Sequence, residues 1–240
     1  GMKGELSRLG EDHQVSLKLI AGLNAERLDD RVGLLQQFDG IRRASDKSGM
    51  MHAMDRFNQQ AVGILTSGKF ADALDLAKEA PKMLEQYTPK IKLGGEQFYT
   101  AEGPTSGRKL LMARRLVEAG VPVVQTLLSA SDLAGGSGDN WDTHRNHFPK
   151  MKDRLLPVFD RSVSALLTDL EMRGMLEETL VVFLTDFGRT PKVNGNGGRD
   201  HYPNVYSLAY AGGGIQGGLV YGASNKKGTE PAAGACSPAD

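Results

Sequence analysis

Cysteine, tryptophan and net charge are what this 240-residue chain has least of. Cys236 is its single cysteine, which excludes an intramolecular disulfide and any zinc site built from several thiolates. Lys+Arg and Asp+Glu are both 29, so the formal charge is zero and no global field draws the chain to nucleic acid or to an anionic membrane. No apolar run reaches membrane-spanning length. The opening GMKGELSRLG lacks the apolar core of an export signal. The remainder is ordinary for a folded protein: 40% hydrophobic and 24% charged, enough for one large domain or two small ones.

Apolar periodicity divides the chain. Residues 1–100 read as mainly helical, with a short strand over Val15–Ile20 and helices over about 26–43, 45–65 and 69–87, the last ended or kinked at Pro81. His13 and His52 stand alone there and read as surface or core residues. Residues 101–240 read as an α/β part within the same structural domain. A helix from about Thr105 to Ala119 stops at Gly120, and the β-branched run Val121–Leu128 follows as a buried strand. A long helix from Phe148 to Gly174 carries Leu155, Phe159, Val163, Leu166, Leu167 and Leu170, with Pro157 inside it. Leu180–Thr185 then reads as a second buried strand, completing a right-handed strand–helix–strand crossover of a parallel sheet. Val205–Ala211 and Leu219–Ala223 read as further strands. The run Gly212-Gly213-Gly214 lacks the Lys-Ser/Thr of a phosphate loop and reads as a structural turn.

Two polar clusters follow the first two of these strands. SASDLAGGSGDNWDTHRNHF, residues 129–148, holds Asp132, Asp139, Asp142, His144 and His147. Two histidines beside several acids suit a divalent metal, which takes imidazole and carboxylate together. The plainer alternative is a solvated loop anchored by Trp141. TDFGRTPKVNGNGGRDHYP, residues 185–203, holds Asp186, Arg189, Arg199, Asp200 and His201 around glycines that let the backbone approach a ligand. Here the plainer alternative is a polar turn in which Asp186 caps something nearby. In a parallel sheet the strand ends converge on one edge, so both loops would reach one site.

The phrases LLMARRLVEAGVPVV, NWDTHRNHF, LTDFGRTPKVN, GRDHYPNVYSLAYAGGGI and GGLVYGAS resemble domain-of-unknown-function family 1501, a bacterial family of sulfatase-like proteins. The resemblance implies the alkaline phosphatase and sulfatase superfamily, and with it a three-layer α/β/α fold around a mostly parallel sheet. It implies a metal-dependent hydrolase of sulfate or phosphate esters, acting on an anionic small molecule or glycan. Asp142 and His144 in WDTH, and His201 in GRDHY, resemble the ligands of one ion, and Asp186 in TDFGR resembles the aspartate of a second. The divalent metal would be zinc, manganese or calcium. Phe187 stands where the superfamily places a further ligand histidine. Arg189 and Arg199 would neutralise the anion.

No segment of residues 2–26 resembles the family's first strand and nucleophile loop. The expectation is therefore a C-terminal half, its sheet lacking the first strands, from a protein whose full-length relatives are exported or periplasmic. The exposed sheet edge would pair in a homodimer. The competing expectation is a non-catalytic binding or scaffold protein that keeps the fold.

Overall fold

The computed structural model describes residues 56–61, 63–64, 68–88, 106–128 and 141–236. The expected strand at Val15–Ile20, the helix over 26–43, His13, His52, Asp132 and Asp139 lie outside the described residues. The chain forms two compact units, residues 1–80 with 112–125, and residues 81–111 with 126–240.

In the first unit, α1 (Lys69–Leu74) ends at Asp75, whose side chain accepts from Ala77 N–H and opens the 3₁₀ turn Leu76–Lys78. The break thus precedes Pro81, which instead starts the next helix, where its missing N–H has no helical partner to lose. The later part of α3 (Gly107–Glu118) belongs to this unit and ends at Gly120, with φ 98°. Gly120 N–H reaches Val117 O at 2.9 Å and Val121 N–H reaches Leu116 O at 3.0 Å, the paired bonds of a glycine C-terminal stop. Arg114 is buried between Glu79 and Glu118, at 2.6 and 2.5 Å, and Arg115 shares Glu79 at 2.8 Å.

In the second unit, α2 (Pro81–Tyr87) packs on α5 (Leu156–Met172). Tyr87, Leu110, Leu111, Leu155, Val158, Leu166 and Leu170 form its core. Gly107, at the start of α3, lies so close to Tyr87 O and Ser162 that a Cβ would collide with both. Buried Asp169 accepts from Tyr87 Oη at 3.1 Å and from Arg173 Nε at 2.7 Å, which satisfies a carboxylate inside the helix packing. The long helix runs from α4 (His147–Lys150) through a π-turn, Met151–Leu155, into α5. Leu156 N–H bonds Met151 O, and the wider turn precedes Pro157, which has no N–H to offer. Gly174, with φ 67°, ends the helix by the same paired bonds, its N–H to Glu171 O at 2.9 Å and Met175 N–H to Leu170 O at 2.8 Å.

Among the described residues the expected parallel three-layer sheet is not present. The described strands form only two-stranded antiparallel ladders: β1 (Val181–Phe183) with β4 (Ala209–Ala211), β2 (Gly188–Arg189) with β3 (His201–Tyr202), and β5 (Ala223–Ser224) with β6 (Pro231–Ala233). The β2–β3 hairpin is nested inside the β1–β4 pair, so residues 181–211 fold back on themselves instead of crossing over a helix. Residues 121–128 join no ladder, with Val123 82% and Leu127 52% exposed, so the expected strand–helix–strand crossover does not form. A β-branched run specifies a buried parallel strand only when neighbours cover both its faces. Here Val182, the middle residue of β1, is 37% exposed, so one face of the strand is open. Among the described residues no helix is long and apolar enough to cross a membrane.

Candidate metal centre

The nested hairpin places the site. Across β2 and β3 Arg189 faces His201, and Gly188 faces Tyr202. The connecting loop, residues 190–200, folds around Asn194. Its Oδ1 accepts from Asn196 and Gly198 N–H at 2.9 and 3.0 Å, while its Nδ2 donates to His144 O at 3.1 Å and Asp200 Oδ1 at 2.9 Å. All four hydrogen-bonding positions of one amide are thereby used. The segment bearing Asp142 and His144 docks against this loop through its backbone. Arg199 N–H donates to Thr143 O at 3.1 Å, Asn146 N–H to Asn196 O at 3.2 Å and His147 N–H to Gly197 O at 2.9 Å. Trp141 fixes the start of the segment. Its indole N–H donates to Leu128 O at 2.6 Å and its ring meets Phe159 of α5 edge-on, which in turn meets Phe183 of β1.

This docking brings three side chains together. His144 Nε2 lies 3.0 Å from Asp142 Oδ1, His201 Nε2 lies 3.1 Å from the same oxygen, and the two Nε2 atoms are 3.1 Å apart. Bonds of about 2.1 Å to one ion put ligand atoms roughly 3.0 Å apart at a right angle and roughly 3.4 Å apart at a tetrahedral angle. The observed triangle therefore fits one face of an ion's coordination sphere without rearrangement. Asp142 and His201 are each 51% exposed, so the opposite side is open to solvent and to a ligand. Three protein donors with an open side is the arrangement of catalytic rather than structural zinc.

Neighbouring charges and hydrogen bonds act on the carboxylates and on His147. Burial pushes the Asp142 carboxyl up, but hydrogen bonds from Arg189 and His201 and the charge of Arg189 outweigh it and hold the carboxyl below its usual range. Arg189 donates to Asp142 Oδ1 at 2.8 Å and to Trp141 O at 3.0 Å. Hydrogen bonds from His144 and then Asn194 lower the Asp200 carboxyl. His147 is held below its ordinary value, first by burial and then by the charges of Arg199 and Arg189. It pairs at 2.7 Å with Thr143 Oγ1, and Thr143 is buried.

Of the residues singled out in the sequence, Asp142, His144, His201 and Arg189 meet here. Asp186 does not join them: its Oδ1 accepts from Phe187 N–H at 3.0 Å and Thr185 Oγ1 at 3.3 Å, a local turn. Phe187 lays its ring on His201, centroids 4.3 Å apart. Arg199 donates to the carbonyls of Thr190 and Pro191, both at 2.6 Å, and lies over the Phe148 ring. The glycine-rich loop packs on its own protein. Gly198 lies against the His144 carbonyl, and within 195–198 only Gly197 takes positive φ. Sequence reasoning missed Asn194 and the 2.8 Å pairing of Asp200 with His144 Nδ1. The two Asn-Gly steps at 194–197 mark a tight turn, and that is the one signal that could have found Asn194.

A family model described as "Protein of unknown function (DUF1501)" matches residues 5–240. The chain belongs to the DUF1501 family. No curated protein and no solved structure matches it. The match takes in Asp142 and His144, His201, and the 190–200 loop against which they dock.

Proposed function

We propose that this DUF1501 protein is a metal-dependent hydrolase of sulfate or phosphate esters, of the sulfatase-like lineage. The observation that carries the reading is the exposed face made by Asp142, His144 and His201. These three residues would hold the ion, which would supply Lewis acidity toward an ester oxygen and activate water. Two imidazoles among three donors favour zinc or manganese over calcium, which takes oxygen ligands. Arg189 orients Asp142 and adds positive charge beside the place the ion would take. The Thr143 hydroxyl is buried and engaged with His147, so among the residues at the cluster water is the better candidate nucleophile.

The test is turnover of aryl sulfate and aryl phosphate by the metal-loaded protein, before and after chelation and after adding metal back. Activity that disappears with chelator and with His201→Ala supports the reading. Retained metal with no turnover of either ester supports the alternative, a non-catalytic binding or scaffold protein. That alternative is favoured by Phe187 and Asp186, which serve packing and a local turn in place of a second ion. The exposed apolar residues of the β1 edge, Leu180 and Leu184, support pairing with a second copy. A strictly monomeric sedimentation profile would remove that part.

A further inference from the structure

We infer that Asn194 is a positioning residue: the two hydrogens of its side-chain amide hold the His144 segment where its ring meets that of His201. The inference deepens the metal-site reading and rests on it. His144 and His201 are 57 residues apart in the chain, yet their Nε2 atoms lie 3.1 Å from each other and their ring centroids 4.7 Å. Asn194 Nδ2 donates to His144 O at 3.1 Å and to Asp200 Oδ1 at 2.9 Å, and Asp200 immediately precedes His201. One amide thus ties the backbone of one histidine to the neighbour of the other.

The surroundings leave the amide one orientation. A carbonyl and an ionised carboxylate only accept, so both face the NH2 group. The backbone N–H groups of Asn196 and Gly198 only donate, so both face Oδ1. The two ends have different tasks. Oδ1 closes the loop on itself, together with the backbone bonds from Asn194 N–H to Gly198 O at 2.8 Å and from Gly197 N–H to Asn194 O at 3.1 Å. Nδ2 is the end that reaches out of the loop. The backbone bonds between the two segments fall on either side of His144, at Thr143 O and at Asn146 and His147 N–H. Among the described residues, the bond to the carbonyl of His144 itself comes from Asn194. Aspartate has nearly the same shape and keeps the acceptor. It has no hydrogen for His144 O or Asp200 and would set oxygen against oxygen at both.

The experiment compares wild type, Asn194→Asp and Asn194→Ala at pH 8. Amide hydrogen exchange at Gly198 reads loop closure. The nuclear Overhauser contact between the His144 and His201 rings in the metal-free protein reads positioning. Competition with a chelating dye reads zinc affinity. Asn194→Asp should keep Gly198 protected, lose the ring contact and bind zinc about 10–100-fold more weakly, although its added charge alone would favour a cation. Asn194→Ala should lose the loop protection as well, and the aspartate variant gives the reading if the alanine variant is poorly folded. Asn194→Asp with the ring contact and zinc affinity of wild type overturns the inference. So does Asn194→Asp that loses loop protection as far as Asn194→Ala does, since the amide would then only close its own loop. A wild type without the ring contact also overturns it. Wild type that shows the contact yet binds no zinc overturns the metal reading, while loss of that contact in Asn194→Asp still supports the role of Asn194.

Discussion

Gly198 lies directly against the carbonyl of His144, with no room for a side chain between the two backbones. The atoms that a Cβ would meet are the His144 carbonyl and Arg145 N, none of which can swing aside. The glycine is what lets the 190–200 loop seat the His144 segment. Gly198→Ala should therefore push that segment away, destabilise the protein by about 1–3 kcal/mol and weaken zinc binding at least tenfold. Gly195, where an added methyl group would meet nothing within 4 Å, is the control. Thermal unfolding and zinc titration of Gly198→Ala and Gly195→Ala check this. Equal behaviour of the two variants contradicts it.

Arg189 holds Asp142 through a 2.8 Å bond and reaches the Arg199 carbonyl at 3.3 Å, so it links the metal-ligand segment to the far end of the hairpin loop. Lysine cannot reproduce a planar fork that serves several acceptors. Arg189→Lys is expected to lose metal affinity nearly as far as Arg189→Ala does. Calorimetric titration with zinc decides the point, and full rescue by lysine would show that only the charge matters.

Tyr87 and Asp169 test the core of the second unit. Tyr87→Phe removes the 3.1 Å hydrogen bond to a carboxylate that is 1% exposed. The cost should be about 1–3 kcal/mol in urea unfolding, as for bonds to charged groups, with metal binding unchanged. A cost below about 0.5 kcal/mol would place the hydroxyl outside the working network.

Glu79 gives the pH dependence of the first unit. Burial raises its carboxyl, but the hydrogen bonds from Arg115 and Arg114 outweigh this and leave it below its ordinary 4.5. The folded state therefore binds fewer protons than the unfolded chain in that range. The contribution is fully present above about pH 4.5 and is lost as pH falls through the lower folded-state value. Glu79→Gln should cost about 1–3 kcal/mol at pH 7, since the Glu79 carboxylate bonds both Arg114 and Arg115 while Arg114 keeps its pair with Glu118. It should also flatten the acid limb of the stability profile. An acid limb as steep in the variant as in wild type would mean that other carboxylates govern it.

Local grammar carried much of this structure in the sequence, and long-range pairing did not. The helix stops at Gly120 and Gly174 are legible because positive φ at those points needs glycine. The apolar stripe of the long helix is legible too, but its buried face is offset. Ser162 and Asp169 lie inside, while Val163 and Leu167 are only half-buried. Periodicity counts apolar residues and cannot foresee that Tyr87 will satisfy Asp169 or that Gly107 will press on Ser162. The error over the sheet has the same origin. Leu180–Thr185 has the composition of a parallel strand, yet its partner is Ala209–Ala211 running the other way. Nothing in the composition of a strand names its neighbour. Asp142, His144 and His201 meet because the 143–147 segment bonds along the backbone of the 196–199 loop, a docking that does not depend on which way the sheet runs. Asp186 spends its Oδ1 on a local turn with Phe187 N–H, a contact that its place at a strand end does not announce.

The most direct measurement is zinc and manganese stoichiometry by elemental mass spectrometry, on wild type, Asp142→Asn, His144→Ala and His201→Ala. One bound equivalent in wild type and loss in each variant is the result expected of a single site built by both loops. No bound metal in a folded wild type, or binding that survives all three substitutions, would contradict it.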